Sequence, residues 1–188
     1  MKIMILTSSP NQDGLTAACG EEAKMGVISS GEEASLVCLN DLFIGACQAC
    51  NNGWGTCRTQ YMCQVEDGFQ NLHATIESAD GFILVTPVYW GEMSESAKAF
   101  SDRIRRCEAL KQGNIFEGKP ILCVAAAGGS GNGCITCLES MERFVTHVRG
   151  IKHDFINVTQ KNRDYKLSTI REAARNMVVQ LKDFQKEG

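Results

Sequence analysis

The residues best equipped for chemistry are four cysteines in the stretch "GACQACNNGWGTCRTQYMCQ": Cys47, Cys50, Cys57 and Cys63. They read as C-x2-C, then six residues, a third Cys, five residues, and a fourth. Four thiolates can ligate an iron–sulfur cluster, for which four cysteines are the usual ligand set. They can equally close a tetrahedral four-sulfur zinc site. With no metal they pack as small hydrophobes. A second pair, Cys134 and Cys137, has C-x-x-C spacing at a predicted helix start. A helix N-terminus lowers thiol pKa, which leaves a redox dithiol open. Ten cysteines in a small secreted protein would mean disulfides. The N-terminus "MKIMILTSSP" is too short for a signal core or a membrane span. Reduced thiols in the cytoplasm are the expectation.

A scaffold must position these groups. The chain of 188 residues suits one domain, with 44% hydrophobic residues for its core. Its net charge is −3, and Lys and Arg are scattered, which argues against a nucleic-acid surface. Apolar runs at 2–7, 33–39, 81–87 and 120–129, with a weaker one at 152–158, read as strands. Continuous rather than alternating runs suit strands covered on both faces. Between them, Leu15, Cys19, Ala23 and Val27 repeat at helical spacing. So do Phe69, Leu72, Ile76 and Ala79, then Ala97, Phe100, Ile104 and Cys107, then Ile170, Ala174, Met177, Leu181 and Phe184. The alternation predicts an α/β fold, a doubly wound five-stranded parallel sheet with helices on both faces. The whole chain, 1–188, reads as a single domain. Its anomaly is an insertion at about 40–65, too long for an ordinary connection, which carries the four cysteines.

Ligands in such sheets bind beyond the carboxyl ends of the strands. Three loops there stand out. In "TSSPNQDGLT", Ser8, Ser9, Asn11 and Thr16 offer short polar side chains, Gly14 relieves the backbone, and a helix start supplies free N–H groups for an anion. An ordinary start capped by Ser9 or Asp13 is the alternative. In "TPVYWGEMSESAKAFSDR", Pro87 is read as the turn. Tyr89 and Trp90 offer flat rings to stack a ligand or cover a subunit contact, and Gly91 permits close approach. In "AAAGGSGNGCITC", Gly128, Gly129, Gly131 and Gly133 leave much backbone bare.

In this order, the three loops resemble the flavodoxin-like NAD(P)H-dependent FMN reductase family. The first is similar to its S-x-S-P-R-x-x-G-x-T phosphate loop, with Thr7 for the first Ser and Asn11 for the Arg. The second is close to its S-P-V-Y-x-x-x-x-S-x-x-x-K-x-F-x-D-R segment. "GGSGNG" stands where the family keeps a Gly-rich loop against the isoalloxazine. The resemblance implies a flavodoxin-like sheet in order 2-1-3-4-5. It implies that Ser8, Ser9, Asn11, Gly14, Leu15 and Thr16 surround the FMN phosphate. Pro87, Val88, Tyr89, Trp90 and Gly91 would line the ring, with Gly128, Gly129 and Ser130 on its other edge. Losing the Arg removes a charge-assisted contact and shifts weight to the helix N-terminus.

The implied activity is an FMN-dependent oxidoreductase with NAD(P)H as co-substrate and a quinone, flavin, nitro, azo or metal acceptor. The flavin carries that chemistry, so no catalytic side chain is expected. His73, His147 and His153 are expected to have structural or surface roles. Related iron–sulfur flavoproteins hold a [4Fe–4S] cluster after the second strand on a compact C-x2-C-x2-C pattern. Here the position matches, but Gly53 stands where the third cysteine would be. An electron-transfer protein serving ferredoxin-like partners is therefore the alternative, and a non-enzymatic FMN carrier the second. "GWG" at 53–55 predicts packing over a flat group, such as a neighbouring subunit's flavin. The resemblance implies a homodimer or homotetramer and no membrane association.

Overall fold

Strand β1 (Lys2–Thr7) forms because five of its six residues are buried on both faces at once. The computed structural model, which describes residues 1–187, repeats this in β3 (Gly81–Tyr89) and β5 (Pro120–Ala127). Successive side chains point to opposite cores. Met4, Leu6, Phe82, Leu84 and Cys123 face one, with Phe69, Phe100, Ile104, Met141 and Phe144 packed against them. Ile3, Ile5, Ile83, Val85, Leu122 and Val124 face the other, with Cys19, Ala23, Val27, Ile170, Ala174 and Met177. Each such aliphatic side chain contributes about 2 kcal/mol by leaving water.

The first core is roofed by α3 (Gly68–Ile76), α4 (Glu95–Glu108) and α5 (Cys134–His147). The second is roofed by α1 (Leu15–Ser29) and α6 (Arg163–Glu187). These two helices touch at Gly26, where a Cβ would stand 2.2 Å from the carbonyl oxygen of Arg171. Phe184 lies off the predicted core face, 70% exposed. The 25 residues of α6, at about 1.5 Å each, outrun the strands it covers.

With β2 (Glu33–Cys38) and β6 (Ile151–Thr159), the parallel strands run in the order β2-β1-β3-β5-β6. Counted among themselves they follow the expected 2-1-3-4-5, and the fold is flavodoxin-like. The addition is β4 (Glu92–Met93), antiparallel to the end of β3. It corrects the turn predicted at Pro87. Pro87 lies inside β3, in register with Ala126. The chain reverses at Trp90 and Gly91, whose φ angles are +51° and +81°. Two successive positive φ values make the tight turn that matches strand twist.

In β6, Lys152 pairs with Ile121 and Asp154 with Leu122, so His153 is the extra residue of a bulge. Between β2 and α3 the chain holds only short turns and the four-residue α2 (Thr56–Thr59). None of the described helices is long and apolar enough to cross a membrane.

Candidate functional site

At the end of β1 the chain turns through residues 8–14 into α1. The Ser9 hydroxyl accepts from the Asn11 N–H (3.2 Å), and Asn11 Oδ1 accepts from the Asp13 N–H (3.3 Å). Neither Ser9 nor Asp13 caps α1. Its N-cap is Gly14, with no side-chain bond and no acidic residue in the first turn. The first-turn N–H groups and the positive end of the helix are therefore offered to the loop. Leu15 and Thr16 bury their side chains, so their contribution there is backbone. Ser8 is turned inward, and its hydroxyl donates to the Val85 carbonyl (3.3 Å).

Two residues not singled out from the sequence hold this loop. Ser94 and Ser96, at the start of α4, donate to the Ser8 carbonyl at 2.8 and 3.4 Å. Ser94 also accepts from the Ala97 N–H and so caps α4. Their signal was the serine pair inside the second motif. A parallel tie joins the other two loops. The Thr136 hydroxyl reaches the carbonyls of Gly91 (2.9 Å) and Gly133 (3.0 Å). The two loops meet backbone to backbone, since a Cβ on Gly133 would lie 2.5 Å from Gly91 Cα.

The loops after β1, β3 and β5 thus form one connected rim, beside the switch point between β1 and β3. Pro87 is buried, and Val88 packs on the core. Tyr89 and Trp90 project outward, Trp90 with its whole side chain in solvent. Gly128, Gly129 and Ser130 are exposed. A Cβ on either glycine would meet nothing within 4 Å. The rim therefore offers bare backbone, two aromatic faces and an uncapped helix end to one ligand.

The sequence profile described as NADPH-dependent FMN reductase matches residues 1–161. The chain belongs to that family. Among curated relatives, it is similar to an iron-sulfur flavoprotein of Methanocaldococcus jannaschii. The two are 28% identical over 144 residues, which is 77% of this chain and 71% of the relative. It is also similar to the iron-sulfur flavoprotein of Methanosarcina thermophila, 30% identical over 137 residues, 71% of this chain and 66% of the relative. In structure it resembles a flavodoxin from the domain Archaea, with TM-score 0.66 at 12% identity, covering 97% of this chain and 99% of that one.

The rim of this FMN reductase family member fits the family's cofactor. The uncapped α1 terminus suits a phosphate, and the exposed backbone of Gly128 and Gly129, where a Cβ would meet nothing within 4 Å, leaves room for a flat ring. Asn11 stands where the family's loop has an arginine, so a phosphate held here would lean more on the helix end.

The insertion has its own architecture. Arg103 of α4, 1% exposed, closes its base. The guanidinium donates to the carbonyls of Gly45 (3.0 Å) and Val65 (3.1 Å) and to Asp67 Oδ2 (2.6 Å). Asp67 in turn accepts from the Gly45 N–H at 2.9 Å and caps α3 in a capping box with Gln70. Burial alone would push the Asp67 carboxyl up. The Arg103 guanidinium and the Gly45 and Phe69 N–H groups outweigh it and hold that carboxyl below its ordinary range. Arg103 and Asp67 were not assigned roles from sequence, although Arg103 ends the second motif.

Cys47, Cys50, Cys57 and Cys63 line one narrow cavity in this insertion, with Arg103 and Arg106 on its wall. All four thiols are free and half-buried. They do not converge on a point: among the described residues no three His, Cys, Asp or Glu side chains are grouped to hold a metal ion. A single zinc needs its sulfurs at about 2.3 Å, so this arrangement does not suit zinc. By chemistry the donor set of four thiolates remains the usual ligand set of an iron–sulfur cluster, whose larger core stands between its ligands. Two further atoms support that reading: the Nε of Arg103 and the Nε of Arg106 are buried without a partner. The aromatic of "GWG" has partners within the chain. The Arg106 guanidinium lies 4.1 Å and the Arg58 guanidinium 5.6 Å from the Trp54 ring.

Burial weighs against the dithiol reading that the spacing of Cys134 and Cys137 leaves open. They are 3% and 0% exposed and unpaired. Burial pushes the Cys134 thiol up and the Cys137 thiol to about 12, so desolvation overrides the helix end. The histidines are structural, as expected, or exposed. His73 donates to the buried Glu108 carboxylate (2.7 Å), His153 to the Ala173 carbonyl (3.0 Å), and His147 is exposed.

Proposed function

We propose that this chain binds FMN at the rim of β1, β3 and β5 and works as an NAD(P)H-dependent oxidoreductase. One observation carries the reading: three strand-end loops, tied by Ser94, Ser96 and Thr136, bring the uncapped α1 terminus, the Tyr89 and Trp90 rings and the exposed backbone of Gly128 and Gly129 to one rim. When bound, FMN would take a hydride from the reduced nicotinamide and hand electrons to the acceptor. The chain's residues supply position. First-turn N–H groups of α1 would hold the phosphate, with Ser9 and Asn11 beside them. Gly91, Gly128 and Gly129 would let backbone approach the ring, and Tyr89 and Trp90 would stack on ring or substrate. Their exposure leaves the ring face open, which suits small flat acceptors such as quinones, flavins and nitro or azo compounds, or a docked second subunit.

The test is a titration with FMN followed by steady-state oxidation of NADH and NADPH with a quinone acceptor. Stoichiometric FMN uptake with acceptor-dependent oxidation supports the reading. FMN uptake with no nicotinamide oxidation would leave a carrier or an electron-transfer protein.

The cavity lined by the four cysteines favours a second reading. Here Cys47, Cys50, Cys57 and Cys63 would ligate a [4Fe–4S] cluster, and electrons would pass between it and FMN towards a ferredoxin-like partner. The names of the two archaeal relatives support it. Iron and acid-labile sulfide, assayed on protein purified without oxygen, test it: near-zero values for both would remove it.

A further inference from the structure

We propose that Arg103 and Arg106 form a cationic wall for an iron–sulfur centre on the cysteine loop and set its reduction potential. This inference rests on the iron–sulfur reading above. It starts from two atoms with nothing to bond. The Nε groups of both arginines are buried and unpartnered, on the wall of the cavity that the four thiols line. A buried donor left unpaired is costly, so it points to an acceptor that would complete it.

Both guanidinium groups have other contacts. Arg103 spends its Nη atoms on Gly45, Val65 and Asp67. Arg106 lies over the Trp54 ring. Each side chain is thereby held in place with its Nε–H buried and unpartnered. Cys63 and Arg103 line the same narrow cavity. A cluster ligated by four thiolates is an anion, and hydrogen bonds to its sulfurs and nearby charge set its potential. Nearby positive charge offsets part of the cost of burying such an anion. One-electron reduction adds a further negative charge, so positive charge on the wall favours the reduced form.

Arg106 is the residue to test, since Arg103 also closes the loop. Full-length protein, Arg106→Gln and Arg106→Lys are reconstituted without oxygen from ferrous iron and sulfide. Iron and sulfide are assayed, and the centre is titrated with dithionite at controlled potential. The expected result is equal iron and sulfide in all three. In Arg106→Gln the reduced-to-oxidised ratio at a fixed potential falls about tenfold, equivalent to about 59 mV for a one-electron couple. Arg106→Lys stays near the parent value. An unchanged midpoint in a fully loaded Arg106→Gln overturns the proposal and leaves the iron–sulfur reading intact. A parent protein that takes up no iron overturns that reading, and the proposal with it. If Arg106→Gln takes up no iron, the lysine variant decides: full loading at the parent midpoint supports the charge, and loss in both overturns it.

Discussion

Arg103 Nη1 donates to Asp67 Oδ2 at 2.6 Å, with the arginine side chain fully buried and the aspartate 16% exposed. This pair joins α4 to the cap of α3 and pins both ends of the cysteine loop. Arg103→Met strips Asp67 of its cation and frees the Gly45 and Val65 carbonyls. Breaking a buried pair on one side costs about 3–5 kcal/mol. The expected outcome is a fall of that size in urea unfolding free energy, with FMN binding by the folded fraction little changed. A loss below about 1 kcal/mol would contradict the pairing.

The same carboxylates set the acid limb of stability. Glu108 is buried, which alone would raise its carboxyl. Bonds from His73 and the Ile115 N–H outweigh burial and hold it below the usual range, as Arg103 does for Asp67. A carboxyl depressed in the fold contributes fully above its unfolded pKa, 4.5 for Glu and 3.8 for Asp. That contribution is lost as pH falls through the depressed value. Their share of the urea midpoint should be flat above about pH 5 and drop below it, less steeply in Glu108→Gln. Equal acid slopes in the two proteins would remove Glu108 from this account.

The Thr136–Gly91 tie predicts a binding effect. Thr136→Val removes one hydrogen bond, worth about 1 kcal/mol. FMN affinity, read by quenching of flavin fluorescence, should fall about fivefold.

Gly128 separates folding from binding. A Cβ there would meet nothing within 4 Å. Gly128→Val should shift the unfolding free energy by no more than about 0.5 kcal/mol. It should nevertheless abolish measurable FMN binding, because the side chain fills the proposed ring site. Normal binding in this variant would move the flavin elsewhere.

Thiol accessibility divides the ten cysteines. Cys19, Cys107, Cys123, Cys134 and Cys137 are buried, while Cys38, Cys47, Cys50, Cys57 and Cys63 are half-buried. Metal-free native protein should react at no more than five thiols at neutral pH, and unfolded protein at ten. Rapid labelling of Cys134 or Cys137 would contradict their burial and restore a dithiol role.

Much of this molecule is local in origin and so legible in its residues. Continuous apolar runs become strands sandwiched between helices, because burial on two faces leaves no polar side. The helical periods of Phe69–Leu72–Ile76 and Ala97–Phe100–Ile104 place α3 and α4 on one core. The glycines and serines of the strand-end loops are chosen by turn geometry and bare N–H groups, so the rim was readable too. Long-range pairing decided the rest. The chain reverses at Trp90–Gly91 rather than Pro87 because only positive φ at two residues lets β4 fold back on β3. Cys134 and Cys137 share the spacing of a reactive pair, yet the core they enter raises them. Ser8 turns inward because Val85, Ser94 and Ser96, distant in sequence, offer it partners. Arg103 meets Gly45, Val65 and Asp67 only once α4 packs beneath the insertion. Burial, unlike spacing, is a property of neighbours the chain acquires on folding.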